Sequence, residues 1–162
     1  MSIISFFKDA GEKLFGKAQA APAQAAADPA AVATANREAA SAIEKYISSL
    51  GLTATGLTVT YDGASATAKV FGVAKDQATK EKIILAAGNV HGIAAVDDNM
   101  TVDLSQPQSQ FYTVVKGDTL SKISKQFYGD ANDYQKIFEA NKPMLTHPDK
   151  IYPGQNLRIP PK

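Results

Sequence analysis

The Asp62-Gly63 pair constrains the fold of this chain more than any other sequence feature. It lies within LTVTYDGASATAKVFGVA, residues 57–74, where apolar and polar residues alternate on both sides of the pair. An Asp-Gly pair between two alternating runs is the strongest short-range signal of a β-hairpin. The sequence therefore predicts two antiparallel strands joined near residue 62, and the rest of the fold has to accommodate them.

Helical patterns flank this hairpin. Before it, residues 37–52 (REAASAIEKYISSLGL) place apolar side chains on one face, and Gly51 marks the end of the helix. After it, residues 75–88 (KDQATKEKIILAAG) predict a second helix, and residues 93–104 (IAAVDDNMTVDL) predict a third strand. We expect residues 37–104 to form an α-β-β-α-β unit with both helices on one face of a small sheet.

A second unit is predicted over residues 111–162, after a polar hinge with one proline at residues 105–110. Its sequence predicts a strand, two helices and a closing strand, with Asp118 or Thr119 as the N-cap of the first helix. The order would be β-α-α-β, with a sheet of two strands. Together, the two units predict a protein of the α+β class.

The N-terminal part of the chain has two different patterns. Residues 3–15 have apolar side chains at helical spacing and predict a short amphipathic helix, bent near Gly11, so that residues 1–16 would pack on the first unit. Residues 17–36 are dominated by alanine, contain two prolines and have almost no large apolar side chains. We expect a flexible linker there, helical in part, because this segment cannot bury enough surface to fix its structure.

Composition restricts the possible partners and location. The formal net charge is +1 and there is no cysteine, so the sequence has no basic surplus for nucleic acid and no thiolate metal site. The first apolar residues are followed at once by Lys8 and Asp9, which is the wrong order for a signal peptide. No run approaches the about 18 apolar residues of a membrane span. We therefore expect a monomeric protein in the cytoplasm.

Catalytic and side-chain metal sites are not predicted. His91 and His147 are the only histidines, and neither lies near a nucleophile motif, so we expect no enzymatic activity, with His91 an exposed loop residue and His147 in a turn. Asp97 and Asp98 are neighbours in a predicted strand. Since their side chains point to opposite faces, they cannot converge on one divalent ion, and we expect a solvated strand end.

The connection between the second helix and the third strand, AGNVHGI at residues 87–93, has two interpretations. The simpler one is a glycine-terminated helix followed by a turn. The other is a backbone cation site, because the last carbonyls of a helix lack partners and carry about half a negative charge. Gly88 and Gly92 would permit backbone angles that turn several carbonyls toward one point. The residues alone leave both interpretations open.

The second unit resembles the LysM domain along its whole length, on the motifs YTVVKGDTLSKISKQFYGD, IFEANKP and IYPGQNLRIP. The first unit resembles a BON domain, on the pattern of glycines, valines and alanine in VFGVAKDQATKEKIILAAGNVHGIAAVDDNM. With the N-terminal FFKDAGEKLF, the pair resembles a family of small bacterial potassium-binding proteins built from one BON and one LysM domain.

This resemblance implies a potassium ion held by main-chain carbonyls. Carried over by position, the donors in the loop would be Gly88, Val90 and Ile93, and the N-terminal donors would be Phe7, Ala10 and Glu12. Neutral carbonyls can replace the water shell of potassium, whereas carboxylate cages favour calcium or magnesium. The resemblance thus implies a potassium sensor or buffer that compacts when the ion binds.

The LysM resemblance implies a different ligand, a glycan that contains N-acetylglucosamine. The groove would lie between two loops, with the candidate residues Gly117, Asp118, Thr119, Ile151, Pro153 and Gly154. The alternative function is accordingly a cell-envelope adaptor that binds peptidoglycan, with the LysM unit as its working part. A protein partner for this unit, and a structural stress protein without a ligand, are further interpretations.

Overall fold

In a computed structural model, residues 2–5, 28–104 and 106–162 are described. The first unit consists of β1 (Ser2–Ser5), α1 (Pro29–Ser49), β2 (Thr55–Asp62), β3 (Thr67–Asp76), α2 (Gln77–Gly88) and β4 (Ala95–Leu104). The second unit consists of β5 (Gln110–Thr113), α3 (Leu120–Tyr128), a 3₁₀ turn (Ala131–Asp133), α4 (Tyr134–Ala140) and β6 (Asn156–Ile159). The α+β class predicted from the sequence is confirmed.

The predicted hairpin is present, as the antiparallel pair β2 and β3. Its loop is held by the carboxylate of Asp62, which accepts hydrogen bonds from the Ala64 amide at 3.1 Å and the Ser65 hydroxyl at 2.7 Å. Asp residues often close turns through their own side chains in this way. The Gly63 amide donates to Oδ1 of Asn36 in α1 at 3.1 Å, so the hairpin loop is also tied to the first helix.

The first sheet has four strands in the order β1-β4-β3-β2. β3 and β4 are parallel, and α2 makes the crossover that parallel strands require. β1 is antiparallel to β4 on the other side. Both helices contribute side chains to one core with one face of the sheet, as predicted. A smaller core, centred on Ile123, Ile137 and Leu157, lies in the second unit.

The start of α1 differs from the prediction. The helix begins at Pro29, eight residues before the predicted start at residue 37, so residues 29–36 belong to α1 and only the expectation that this segment would be helical in part holds for them. Residues 17–27 of the expected linker lie outside the described part. The proline does not interrupt a helix there. It occupies the first turn, where its missing amide hydrogen costs nothing, and the Asp28 carboxylate caps the helix by accepting from the Ala30 amide at 3.1 Å.

The N-terminal residues also differ from the prediction. A helix over residues 3–15 was expected, but Ser2–Ser5 form a strand paired with β4. Ile4 packs against the core, whereas Ile3 is 69% exposed, which is the alternation of a strand at a sheet edge. Two adjacent isoleucines fit a helical pattern as well as a strand pattern. The pairing with β4 determines that the segment is a strand. Residues 6–16 of the expected helix lie outside the described residues.

The second unit has the predicted β-α-α-β order with a two-stranded antiparallel sheet. Thr119 is the N-cap of α3, since its side chain accepts from the Lys122 amide at 3.2 Å. Gly129 ends this helix with a φ of 80°, in the left-handed region that favours glycine.

Replacing Ile47 by alanine should destabilise the first unit. This side chain is fully buried between α1 and the sheet, and truncating a buried isoleucine costs about 2–5 kcal/mol. Chemical denaturation followed by circular dichroism measures the loss. Leu104→Ala, at a position that is 64% exposed in the same unit, is the matched control and should change the free energy of unfolding little. Equal losses in both variants would contradict the assigned core.

Candidate functional site

The loop at residues 88–93 continues directly from the end of α2. Gly88 is the last residue of the helix, and the Asn89 amide donates to the Leu85 carbonyl at 3.0 Å. The Ile93 amide then donates to the Val90 carbonyl at 3.1 Å, which closes a tight turn. Gly92 has a φ of 94°, a conformation that side-chain-bearing residues rarely adopt. A backbone requirement therefore explains one of the two glycines, Gly92.

Three carbonyl oxygens of this loop accept few hydrogen bonds from the described residues. Gly88, Val90 and Ile93 are all buried. Between described residues, no hydrogen bond ends on the carbonyls of Gly88 or Ile93, and the Val90 carbonyl accepts one. A carbonyl oxygen has two lone pairs, so the Val90 oxygen can still take a second partner. Buried carbonyls normally have partners, and these oxygens are accordingly suited to a cation.

The other predicted donors, Phe7, Ala10 and Glu12, lie outside the described residues. β1 nevertheless brings the chain close to the loop, because Ser5 lies opposite Ala95, two residues beyond Ile93. Within residues 2–5, 28–104 and 106–162, no three His, Cys, Asp or Glu side chains form a group that could hold a metal ion. Within the described chain, main-chain oxygens are therefore the donors available for a cation.

Three of the polar residues considered above have different surroundings from those expected. His91 is half-buried, not exposed, and its buried Nδ1 has no hydrogen-bond partner among described residues. Asp98 is not at a solvated strand end, because its carboxylate pairs with the Lys80 ammonium at 3.0 Å. Asp97, its neighbour and the third residue of β4, has a buried Oδ1. His147 is exposed in a turn, as predicted, where its Nδ1 accepts from the Asp149 amide at 3.2 Å.

Asn89 connects the loop to the second unit. Its side-chain amide donates to the Asn156 carbonyl at 3.0 Å, and its Oδ1 accepts from the Asn156 amide at 3.1 Å. Asn141 makes the same pair of contacts with the backbone of Arg158, each at 2.8 Å. Two asparagines, one from each unit, thus cover the outer edge of β6 as a neighbouring strand would. An uncovered edge would be a site for unwanted pairing.

A buried ion pair strengthens the same interface. Glu81 of α2 and Arg158 of β6 lie 2.5 Å apart, with side chains that are 5% and 9% exposed. The Glu81 carboxylate also accepts from the Gln77 side chain at 2.9 Å and the Ser109 amide at 2.8 Å. Burial raises the pKa of Glu81, but the hydrogen bonds from Gln77, Ser109 and Arg158 outweigh burial and hold this pKa below its usual value.

The predicted groove residues of the second unit lie on two adjacent loops. The Val114 amide donates to the Gln155 carbonyl, and the Gly154 amide donates to the Val114 carbonyl, both at 2.8 Å. These bonds place the loop after β5, with Gly117, Asp118 and Thr119, beside the loop before β6, with Ile151, Pro153 and Gly154. The Asp118 carboxylate is already engaged, because it accepts from the Tyr112 hydroxyl at 2.8 Å and the Val115 amide at 2.9 Å.

Comparison with known proteins identifies the domain family of the second unit and a relative of nearly the whole chain. The LysM domain family matches residues 112–160. Over 160 residues the chain is 47% identical to the potassium binding protein Kbp of Escherichia coli O6:H1, and the match covers 99% of each chain. The chain belongs to the Kbp family.

Two further relatives of this Kbp-family chain match shorter segments. An uncharacterized protein of Deinococcus radiodurans is 53% identical over 49 residues, which are 30% of this chain and 19% of the relative. The uncharacterized protein YqbP of Bacillus subtilis is 38% identical over 65 residues, 35% of this chain and 30% of the relative. Across the described residues of the Kbp-family chain, no helix combines the length and apolar character needed to cross a bilayer.

The interface residues of this Kbp-family chain were missed by the sequence interpretation. Asn89 and Asn156 are 67 positions apart, and Glu81 and Arg158 are 77 positions apart. A polar residue in a helix or strand is usually on the solvent side, so the sequence offers no sign that these four are buried. Two charged residues of opposite sign in two segments predict a contact only when the docking of the segments is known.

Replacing Arg158 by methionine should destabilise the docked form strongly. Glu81 would remain buried without its cation, and breaking a buried ion pair costs about 3–5 kcal/mol. Adding Glu81→Gln should recover part of this loss, because no uncompensated charge remains. Thermal denaturation of the two single variants and the double variant gives the coupling. Additive losses would show that the pair is not coupled.

The same ion pair gives a pH dependence with a definite sign. The pKa of folded Glu81 is depressed, so its contribution is fully present above the pKa of an unfolded glutamate, about 4.3. It is lost as the pH falls through the lower, folded pKa. The part of the acid destabilisation below pH of about 4 that comes from this carboxylate should be absent in Glu81→Gln.

Proposed function

We propose that this protein binds potassium through backbone carbonyls of the loop at residues 88–93. The observation that carries the proposal is the similarity over nearly the full length to a protein named for potassium binding. The carbonyls of the buried residues Gly88, Val90 and Ile93 support it independently, because between described residues only the Val90 oxygen accepts a hydrogen bond. The proposed activity is binding without catalysis, and its proposed location is the cytoplasm, which cell fractionation tests.

The chemistry of the loop fits a large monovalent cation. Potassium is weakly hydrated for its charge, so neutral carbonyl dipoles can replace its water shell at a tolerable cost. The loop follows the C-terminus of α2, where the helix dipole adds a partial negative charge of about half a unit. Gly92 bends the backbone so that the turn can close, and it adds no side chain that would block access to the oxygens.

The N-terminal segment would complete the donor set. Ser5 ends β1 beside the loop, and Phe7 is two residues further along, a reach of at most about 7 Å. Carbonyls from Phe7, Ala10 and Glu12 would then close over an ion whose other side is held by the loop. A ligand that binds only the assembled form stabilises it, by about 2.7 kcal/mol at one hundred times the dissociation constant.

Gly92→Ala should weaken potassium binding at least tenfold. Alanine is strained at a φ of 94°, so the turn would open and the carbonyls of the loop would move. Isothermal titration with potassium, and with sodium at equal ionic strength, measures the affinity and the selectivity. The response to potassium should exceed the response to sodium in the unaltered protein.

Gly51→Ala is the matched control for this experiment. Gly51 has a φ of 72°, ends α1 and has open space around it, so alanine there introduces the same kind of backbone strain outside the loop. Both variants should lose similar stability, and Gly51→Ala should keep its affinity for potassium. Equal affinities of the two variants, or equal responses to potassium and sodium, would contradict the backbone site.

A second candidate function is binding of a glycan that contains N-acetylglucosamine by the LysM unit. The match to the LysM family and the contact between its two groove loops favour it. Titration with a chitin tetrasaccharide, followed by amide chemical shifts, should perturb residues 117–119 and 151–154. Unchanged shifts at these residues would leave the LysM unit as a docking domain for the first unit.

A further inference from the structure

A cleft of about 610 Å³ opens between the two units, at the opposite end of α2 from the loop at residues 88–93. Residues from both units and the connection between them line it, among them Gln77, Lys80, Glu81, Asp98, Ser109 and Phe111. Its volume lies in the range of small-molecule sites, which is about 300–1,000 Å³, and such sites are common between domains.

The cleft does not offer a free strand edge to a peptide. β1 covers β4 only as far as Asp98, so the edge of β4 beyond that point has no neighbouring strand among the described residues. However, the Met100 amide donates to the Asp98 carboxylate at 3.0 Å, and the Met100 carbonyl accepts from the Lys80 ammonium at 2.9 Å. Since side chains already occupy this edge, a ligand has to be recognised by the side chains of the walls.

The ionised groups of the walls are compensated. Lys80 pairs with Asp98 at 3.0 Å, and Glu81 pairs with Arg158 at 2.5 Å. An anion in the cleft would face two carboxylates and only one ammonium, which already has a partner. A metal cation would have to displace the lysine from Asp98. Neither charge is complementary to these walls, and a neutral ligand is favoured.

The unused polar groups of the walls include both donors and acceptors. The Ser109 hydroxyl oxygen is buried and makes no hydrogen bond of good geometry with a described residue, although it lies close enough to the Glu81 carboxylate to help lower the pKa of that group. A hydroxyl group both donates and accepts, so it can still take a partner from a ligand. Lys80 has three donor hydrogens, of which two are used in the contacts described above. Gln77 donates from its amide nitrogen to Glu81, and its amide oxygen accepts no hydrogen bond from a described residue. Hydroxyl groups, which donate and accept, match this mixture.

The apolar part of the cleft completes the match. Ile84 and Met100 form a buried floor, and the partly exposed ring of Phe111 provides a flat wall. A sugar ring or a polyol chain has carbon-bound hydrogens for such surfaces and hydroxyl groups for the polar ones. We propose that this cleft binds a neutral polyhydroxy compound, a sugar or polyol, at a site separate from the loop at residues 88–93 and from the LysM groove loops.

Amide chemical shifts of the ¹⁵N-labelled full chain test this proposal, with glucose and sorbitol as probes. Shifts are preferable to melting temperatures, because sugars and polyols stabilise most proteins by exclusion from the surface. Trimethylamine N-oxide, an excluded solute without hydroxyl groups, corrects for that effect. We expect saturable shifts at Gln77, Lys80, Ser109 and Phe111 with at least one of the two probes, and none with the excluded solute.

Ser109→Leu should weaken this binding about tenfold or more, since it fills the cleft and removes the hydroxyl group while keeping the backbone amide that donates to Glu81. Ser49→Leu, at an exposed position of α1, is the matched control and should bind as the unaltered chain does. A second variant, Phe111→Ala, removes the ring and leaves the volume open. Circular dichroism verifies that each variant is folded.

Several results would overturn the proposal. The first is the absence of saturable shifts in the cleft. The second is an affinity of Ser109→Leu and of Phe111→Ala equal to that of the unaltered chain. The third is a stronger shift of the same residues with glutamate or putrescine than with the neutral probes. Shifts confined to residues 117–119 and 151–154 would assign the probes to the LysM groove and would also overturn it. Because the titrations are run with and without potassium, failure here is distinguishable from failure of the ion site.

Discussion

The parallel pairing of β3 with β4 is the constraint from which the rest of the structure follows. Parallel strands need a crossover, and the helix α2, with 12 residues, provides it. The last six residues of this helix, 83–88, are all buried. Both ends of this helix are consequently fixed by strands. The N-terminal half carries Glu81, which binds Arg158, and the C-terminal end leads into the loop that holds the candidate carbonyl donors. The sheet therefore fixes the position of both the contact with the second unit and the candidate ion site.

The contacts that join the two units are polar, and this affects what they contribute. Replacing a buried ion pair by apolar residues is often neutral or stabilising, so the pair between Glu81 and Arg158 adds little net stability over an apolar contact. The ion pair instead fixes the relative position of the two units, because each buried polar group needs a hydrogen-bonding or ionic partner. With Asn89 and Asn141 on the backbone of β6, a displaced second unit would leave several buried groups unpaired, each at about 1–3 kcal/mol. The docking is therefore specific.

Local sequence patterns predicted much of the fold because turns, helix ends and caps are determined by a few neighbouring residues. The hairpin at Asp62, the end of α1 at Gly51 and the N-cap of α3 each depend on a few neighbouring residues. The first two were predicted correctly, and the structure selects Thr119 over Asp118 as the N-cap. The start of α1 was also locally encoded, in Asp28 followed by Pro29, but the alanine-rich composition concealed it. The strand Ser2–Ser5 depends on pairing with β4, whose paired residues lie 90 to 96 positions further along the chain, and no local pattern contains this pairing.

The candidate site was partly predictable for the same reason. The glycines and the helix end identified the loop, and the resemblance to a family supplied the ion, but Asn89 gave no signal within the loop. Its side chain holds the backbone of Asn156, whose own side chain accepts a hydrogen bond from the Thr113 hydroxyl at the end of β5.

Asn89 consequently lies between two of the candidate donors, Gly88 and Val90, and is fixed to the other unit at the same time. A rearrangement of the loop that moves Asn89 would break two buried hydrogen bonds on β6, whereas a loop held by an ion would keep them. An ion held by the proposed site and the second unit would therefore stabilise the same loop conformation, and by linkage each would strengthen the attachment of the other. Such coupling would need no contact between the ion and the LysM unit, because the backbone between Gly88 and Val90 would carry it.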